Sequence, residues 1–394
     1  MVLIVLLNFL GKASVALVSY SEIILKSNIV RKKLEKILLN NLKNKLKMSG
    51  LNFSVAIREG GRIFIENIET EEACKVLIKV FGVDFTAPAF KTSANIEDIT
   101  NLALNIASNI LGFNEKFAVR ARRVGVHSYT SRDVEKVVGA EILKKLSKER
   151  NVKVDLENPD KTFFIEVREK SSYIYWKIFK GYGGLPVGSQ GKLIAFLGEN
   201  PYHALAVWLM MKRGVLPIPV YLYTGEENYC KEIPYIDVLR EFIPYKNFKV
   251  YIAPFNMIQE VIPRNLDLEL KLLLQQILAI KFMCEFARVK DSLGIIFGFN
   301  LQSNPAQTLK FLTILENFSN LPLFHPTISL SVEELNSLIK ELGLEKKVKK
   351  GFFEFTLPKN IEKIDVKTLE RIVEESRVKE CINKLIRNVK SCEV

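Results

Sequence analysis

The chain reads as an α+β N-terminal half followed by an α/β domain built on a doubly wound parallel sheet. Three observations carry that reading. Up to Tyr182, short strand-like segments joined by tight turns are interleaved with helices. From Gly183 onward, apolar strands alternate regularly with helices. The chain is also long enough for two or three cores, at 394 residues with 48% hydrophobic and 26% charged composition.

The elements follow in order. Val15 to Ser19 is an apolar strand, and Asn28 to Met48 a helix whose leucines recur at helical spacing. Asn52 to Ile57 and Ile63 to Ile65 read as strands joined at Gly60-Gly61. A helix follows to Phe81, with Thr70 as expected N-cap and Glu71 and Glu72 in its first turn, and Val83 to Phe90 closes the unit. This β-α-β-β-α-β order is the ferredoxin-like pattern and spans residues 14–90. A second unit spans residues 91–182. It holds a helix from Ile96 to Leu111, the strand Lys116 to Arg122, and a helix starting at Ser131 as expected N-cap and ending before a strand at Asn151. The strands Thr162 to Arg168 and Ser172 to Phe179 complete it. Residues 183–394 alternate: strand Leu193 to Leu197, a helix to Lys212, strand Ile218 to Leu222, a helix near Ile236, strand Lys249 to Ile252, a long helix from Asp267 to Arg288, then strand Leu293 to Phe297. The tail from Ile364 to Val389 is helical with mixed charge. Residues 1–13 read as an extension, apolar but too short to span a membrane: a misassigned start or a pairing strand first, a weak anchor as the third reading.

Charge placement points to a partner. Residues 1–182 hold 30 Lys/Arg against 20 Asp/Glu, a net of +10, whereas residues 183–394 hold 27 against 24, a net of +3. A thermophile-like, lysine-rich surface accounts for a basic chain but not for the unevenness, which suits a phosphate backbone bound by the first half. Within that half, Arg120, Arg122 and Arg123 end a strand just before His127, Tyr129, Thr130 and Ser131. Guanidiniums bind phosphates bidentately, a helix start offers free N–H groups, and His127 or Tyr129 offers a ring for a base. Lys26 and the basic helix containing Arg31 add positive charge upstream. Five scattered cysteines and three histidines show no metal-ligand spacing and suit a reducing cytoplasm; Cys284, in an apolar helical stretch, reads as core.

The strand ending at Leu197 turns through Gly198, Glu199, Asn200, Pro201, Tyr202 and His203 into a helix ending at Gly214. Such a junction can hold a phosphate, because free N–H groups and the helix dipole point at the turn. This turn is poorly composed for that task. Glu199 opposes an anion, Pro201 lacks an N–H and Tyr202 is bulky.

The run from Gly183 to Lys192 (GGLPVGSQGK), followed by LMMKRG, closely resembles the tRNA 4-thiouridine synthases. Val15 to Leu34, with Tyr20, Glu22, Lys26 and Arg31, and FAVRARRVGVHSYTSRDVEKVVGA from Phe117 to Ala140 resemble the same family. The resemblance covers about Val15 to Val373. It implies an N-terminal ferredoxin-like domain, a THUMP RNA-binding domain and an ATP-pyrophosphatase-like (PP-loop) α/β domain, with the tRNA acceptor arm as partner. Several family positions are changed. The SGGxDSP loop falls on Gly198 to Ala204, so its aspartate becomes Tyr202 and its serine His203. The GxSLGQVASQT segment falls on Gly298 to Thr308, keeping Leu301, Gln307 and Thr308. A family lysine falls on Val332, and the cysteine that carries sulfur chemistry in many members falls on Phe352 or Phe353.

The expectation is therefore a cytoplasmic tRNA-binding pseudoenzyme with no cofactor and no metal, which does not adenylate its RNA. A working tRNA sulfurtransferase using ATP and Mg²⁺ is the alternative. A further one is a non-catalytic subunit, as a homodimer or in a dimer with an active paralogue.

Overall fold

The computed structural model describes residues 13–225, 233–301, 304–345, 351–359 and 361–394. The expected extension lies outside them apart from Ala13, as do Gln302 and Ser303 of the Gly298 to Thr308 segment. The chain divides into two compact units, Met1–Gly184 and Leu185–Val394.

The first unit begins with β1 (Val15–Ser19), α1 (Asn28–Met48), β2 (Val55–Glu59), β3 (Arg62–Glu66), α2 (Thr70–Leu77) and β4 (Phe85–Ser93). These strands lie in the antiparallel order β2-β3-β1-β4, the arrangement expected of a ferredoxin-like unit. Gly60 and Gly61 both have positive φ, 55° and 79°, which a two-residue hairpin needs to match the strand twist. Two local expectations are corrected. The strand expected from Asn52 begins at Val55. Thr70 is the first helical residue, not the N-cap; Glu69 takes the cap position, and the Thr70 hydroxyl donates to the Ala13 carbonyl at 3.3 Å.

The chain continues through α3 (Ile96–Ile110), β5 (Lys116–Arg123), α4 (Ser131–Arg150), β6 (Lys153–Val154), β7 (Lys161–Val167), β8 (Ser171–Tyr175) and β9 (Phe179–Lys180). Strand β4 belongs to both halves of this unit. Phe85 to Ala89 pair with β1, and Phe90 to Ser93 pair with β8. One sheet therefore runs β2-β3-β1-β4-β8-β7-β5-β6, and β3 and β7 can exchange side chains although distant in sequence. Helices α3 and α4 cover the β5–β7 face with Ile99, Ile106, Val134, Val138 and Ile142. Thr130, not Ser131, caps α4: its side chain accepts from the Asp133 N–H while the Asp133 carboxylate accepts from the Thr130 N–H.

The second unit contains β10 (Lys192–Leu197), α5 (Pro201–Lys212), β11 (Leu216–Tyr223), α6 (Ile236–Arg240), β12 (Lys249–Pro254), α7 (Leu268–Lys290), β13 (Ile295–Ile296), α8 (Pro305–Phe318), β14 (Leu323–Phe324), α9 (Val332–Leu342), α10 (Val366–Glu374), α11 (Ser376–Arg387) and β15 (Lys390–Glu393). The sheet order is β14-β13-β10-β11-β12-β15, parallel except for the last strand. Strand order reverses between β10 and β13, so the crevice outside their carboxyl ends is the topological switch point, where open α/β sheets bind ligands. Helix α7 fills the core beneath it with Leu273, Leu274, Ile277, Phe282 and Cys284. Cys74, Cys284 and Cys381 are free and buried. Among the described residues, no helix is long and apolar enough to cross a membrane.

Candidate functional site

Five arginines of the first unit, Arg31, Arg58, Arg62, Arg122 and Arg168, gather about the Gly60–Gly61 hairpin. A Cβ at Gly61 would lie 3.7 Å from an Arg122 Nη and 3.8 Å from an Arg31 Nη, so the two guanidinium tips are at most about 7.5 Å apart. Arg31 is tied to Glu35 (Nε to Oε1, 2.8 Å), as are Arg58 (3.0 Å) and the Tyr20 hydroxyl (2.7 Å). Across the sheet, Glu166 on β7 accepts from Arg62 on β3 at 3.0 Å and from Arg168 at 2.7 Å. Glu35 and Glu166 are both buried, and Arg168 is fully so. Two buried carboxylates thus hold four arginines.

Arg122, by contrast, has no hydrogen-bond or ion-pair partner among the described residues. Partial burial, with Arg62 and Arg168 close by, holds its guanidinium below the usual arginine range, opposed by Glu166. A partly desolvated cation crowded by like charges is a site that an anion stabilises.

Arg120 and Arg123 donate to the Leu156 and Gly125 carbonyls at 2.6 and 2.8 Å, leaving their positive charge without a carboxylate among the described residues. Lys26 stands exposed after the 3₁₀ turn Glu22–Leu25. His127 Nε2 lies 3.1 Å from the Arg168 carbonyl, and its ring sits 5.2 Å from that of Tyr129. The Tyr129 hydroxyl donates to the Ala94 carbonyl, and burial raises its pKa. Both rings therefore hold the β5–α4 loop in place. Thr130 caps α4 and Ser131 opens it. Glu35, Glu166, Arg62 and Arg168 carried no signal in the sequence, because each acquires its meaning from a partner on another strand or helix.

In the second unit, the β10–α5 turn lies at the switch point. Each N–H from Glu199 to His203 has an acceptor, Pro201 having none to offer. The Glu199 and Asn200 amides both donate to the Glu354 carboxylate, Asn200 at 3.1 Å. Tyr202 N–H donates to the Asn200 side chain at 3.0 Å and His203 N–H to the Asn200 carbonyl at 3.2 Å. The exchange is reciprocal, since the Glu199 carboxylate accepts from the Gly351 and Phe352 amides at 2.8 and 3.3 Å. Tyr235 donates to the Glu199 carbonyl at 2.6 Å. His203 is buried; its Nδ1 accepts from the Gly298 N–H at 3.0 Å, and its Nε2 lies 3.4 Å from Glu354. Gly198 and Gly298 permit this closeness, because a Cβ at the former would overlap Glu354 and one at the latter the Tyr202 carbonyl.

Phe352, at one position where the family carries a cysteine, packs edge-on or tilted against Tyr221 and Tyr223 at ring distances of 5.4 and 5.5 Å; Phe353 packs on Phe255 at 4.7 Å. Val332 opens α9 and is 42% exposed. Asn304 caps α8, with Gln307 donating its N–H to that cap and Thr308 buried in the first turn. Sequence reasoning missed Glu354, whose one sign is a lone charge within the apolar run Phe352 to Phe355.

Three family descriptions match in chain order: "ThiI ferredoxin-like domain" over residues 15–86, "THUMP domain" over 93–177 and "Thiamine biosynthesis protein (ThiI)" over 188–350. The chain is 32% identical to a "Probable tRNA sulfurtransferase" of Methanosarcina acetivorans over 341 residues, covering 85% of this chain and 82% of that one. The chain belongs to the tRNA sulfurtransferase family. Its fold matches a crystal structure of a 4-thiouridine synthetase–RNA complex with bound ATP, with TM-score 0.80, 24% identity and coverage of 97% of this chain and 99% of that one. It also matches the protein PH1313 of Pyrococcus horikoshii, with TM-score 0.66, 29% identity and coverage of 84% and 100%. In family terms, the Gly60–Gly61 arginine cluster joins the ferredoxin-like and THUMP units, and the Glu354-sealed turn belongs to the ThiI unit.

Proposed function

We propose that this member of the tRNA sulfurtransferase family binds tRNA through its first unit and does not adenylate it. The observation that carries the proposal is the Glu354 carboxylate seated on the Glu199 and Asn200 amides. Those amides are the donors that a strand–turn–helix junction offers a phosphate. A nucleotide phosphate would have to displace one carboxylate and approach a second, Glu199, against like-charge repulsion in a partly desolvated crevice. The changed positions support the same reading. Tyr202 and His203 stand where the family has aspartate and serine, Val332 where it has lysine, and Phe352 or Phe353 where many members have the sulfur-carrying cysteine. The protein therefore uses neither ATP nor Mg²⁺ on its own. The acceptor arm is held at the Arg31–Arg122 cluster and along the β5–α4 loop, in the cytoplasm. As a homodimer or beside an active paralogue, the same tRNA grip would serve a partner's chemistry.

The kinship with proteins called tRNA sulfurtransferases favours one rival, a working enzyme that thiolates uridine with ATP and a sulfur donor. Calorimetric titration with ATP–Mg²⁺, paired with filter binding of tRNA at two salt concentrations, separates the two. Salt-sensitive tRNA binding without micromolar ATP binding is expected. Micromolar ATP binding would sink the proposal and restore the enzyme.

A further inference from the structure

A cavity of about 300 Å³ opens at the other end of the parallel sheet, beside the amino ends of β10, β11 and β12. Its walls are apolar and aromatic: Leu216, Pro217, Ile218, Tyr245, Phe248 and Tyr251. Three lysines, Lys192, Lys249 and Lys290, and Asn247 complete its lining. Among the described residues, Lys192 has no carboxylate partner. Lys290 Nζ sits over the Tyr251 ring at 4.1 Å and the Phe286 ring at 5.2 Å. Lys249 has Glu393 at 3.9 Å, with both side chains at least half exposed, a contact weakened by solvent. Three ammonium groups thus line one small cavity against a single loosely held carboxylate.

The switch-point crevice and this cavity are at opposite ends of the strands, so the sealed turn leaves the cavity untouched. Its size falls at the lower end of ordinary small-ligand sites, which combine apolar walls with a few placed charges. The walls suit a flat ring and the lysines suit a phosphate, which Lys binds as a point charge.

We infer that this cavity is a second ligand site, for a flat heterocycle bearing a phosphate: a mononucleotide, free or as an exposed nucleotide of bound RNA. The test uses the full-length chain and AMP, with adenosine and inorganic phosphate as separate probes in calorimetry. AMP binds with a Kd on the order of 1 mM, and each half-probe binds at least tenfold more weakly. The double variant Lys192→Gln/Lys290→Gln raises the AMP Kd at least tenfold. Lys340→Gln, on α9, leaves it unchanged. Displacement of AMP by tRNA supports the site and assigns it to an RNA nucleotide; AMP binding unaltered by saturating tRNA supports it as a free-nucleotide site. The inference is overturned if AMP does not bind, if the double variant binds it like the parent, or if phosphate alone matches AMP.

Discussion

Arg122 offers the sharpest test of the RNA-binding reading, because its removal separates binding from folding. Its guanidinium has no ion-pair partner among the described residues, and burial beside Arg62 and Arg168 disfavours its charge. Arg122→Ala therefore removes no internal bond, and stability stays within about 0.5 kcal/mol of the parent. If Arg122 neutralises one phosphate, its loss lowers the slope of log affinity against log salt by about 0.9 for duplex or about 0.7 for single-stranded RNA. Over a fourfold rise in salt, from about 50 to 200 mM, the parent's advantage then shrinks by about 3.5-fold for a duplex contact. Filter binding of tRNA at three salt concentrations reads this directly. Arg168→Ala is the contrasting variant. It strips one of the two arginines from buried Glu166 and costs about 3 kcal/mol of stability. A slope for Arg122→Ala parallel to that of the parent would refute the reasoning and move the phosphate contacts elsewhere.

Two further outcomes are expected from the second unit. Glu354→Ala leaves the Glu199 and Asn200 amides without their acceptor, at roughly 1–3 kcal/mol for each buried donor. Partial access to water puts the total near 2 kcal/mol, so this unit melts about 4–8 °C lower in calorimetry, and an unchanged melting point would show that the carboxylate does not hold the turn. The stability of the unit also falls in acid through His325. Burial, reinforced by His203, lowers its pKa from 6.5 to about 4, and neither ring nitrogen has a hydrogen-bond partner among the described residues. The neutral ring is the folded form. Its contribution is complete above pH 6.5 and is lost as pH falls towards 4, amounting to about 3 kcal/mol over that window. His325→Phe flattens the dependence of melting temperature on pH between these values; an unaltered profile would assign it to other groups.

Much of the fold was legible because it rests on local chemistry. Helical spacing placed α1 at Asn28–Met48, paired glycines placed the β2–β3 hairpin, and alternating strands and helices implied the doubly wound sheet. The errors were also local. Thr70 and Ser131 were read as caps because both are good capping residues, but Ala13 offered Thr70 another acceptor and Asp133 completed a capping box one residue earlier, at Thr130. The antiparallel strand β15 gave no sign of itself, since the polar stretch Lys390–Glu393 is a strand through its pairing with β12.

By itself, the sequence determined the class of each half, the uneven positive charge and the altered composition of the Gly198–His203 turn. Tertiary structure alone decided what fills that turn. Glu354 lies 155 residues from Glu199 and Glu166 lies 104 from Arg62, and each pair meets through strand register and crossover geometry. Short-range periodicity specifies φ, ψ and the buried face of an element, but not which distant carboxylate will reach which amide or guanidinium. For the same reason Arg122 was visible from the start as a basic residue near a helix start, while its lack of a partner became visible only when Glu35 and Glu166 were seen holding the other four arginines.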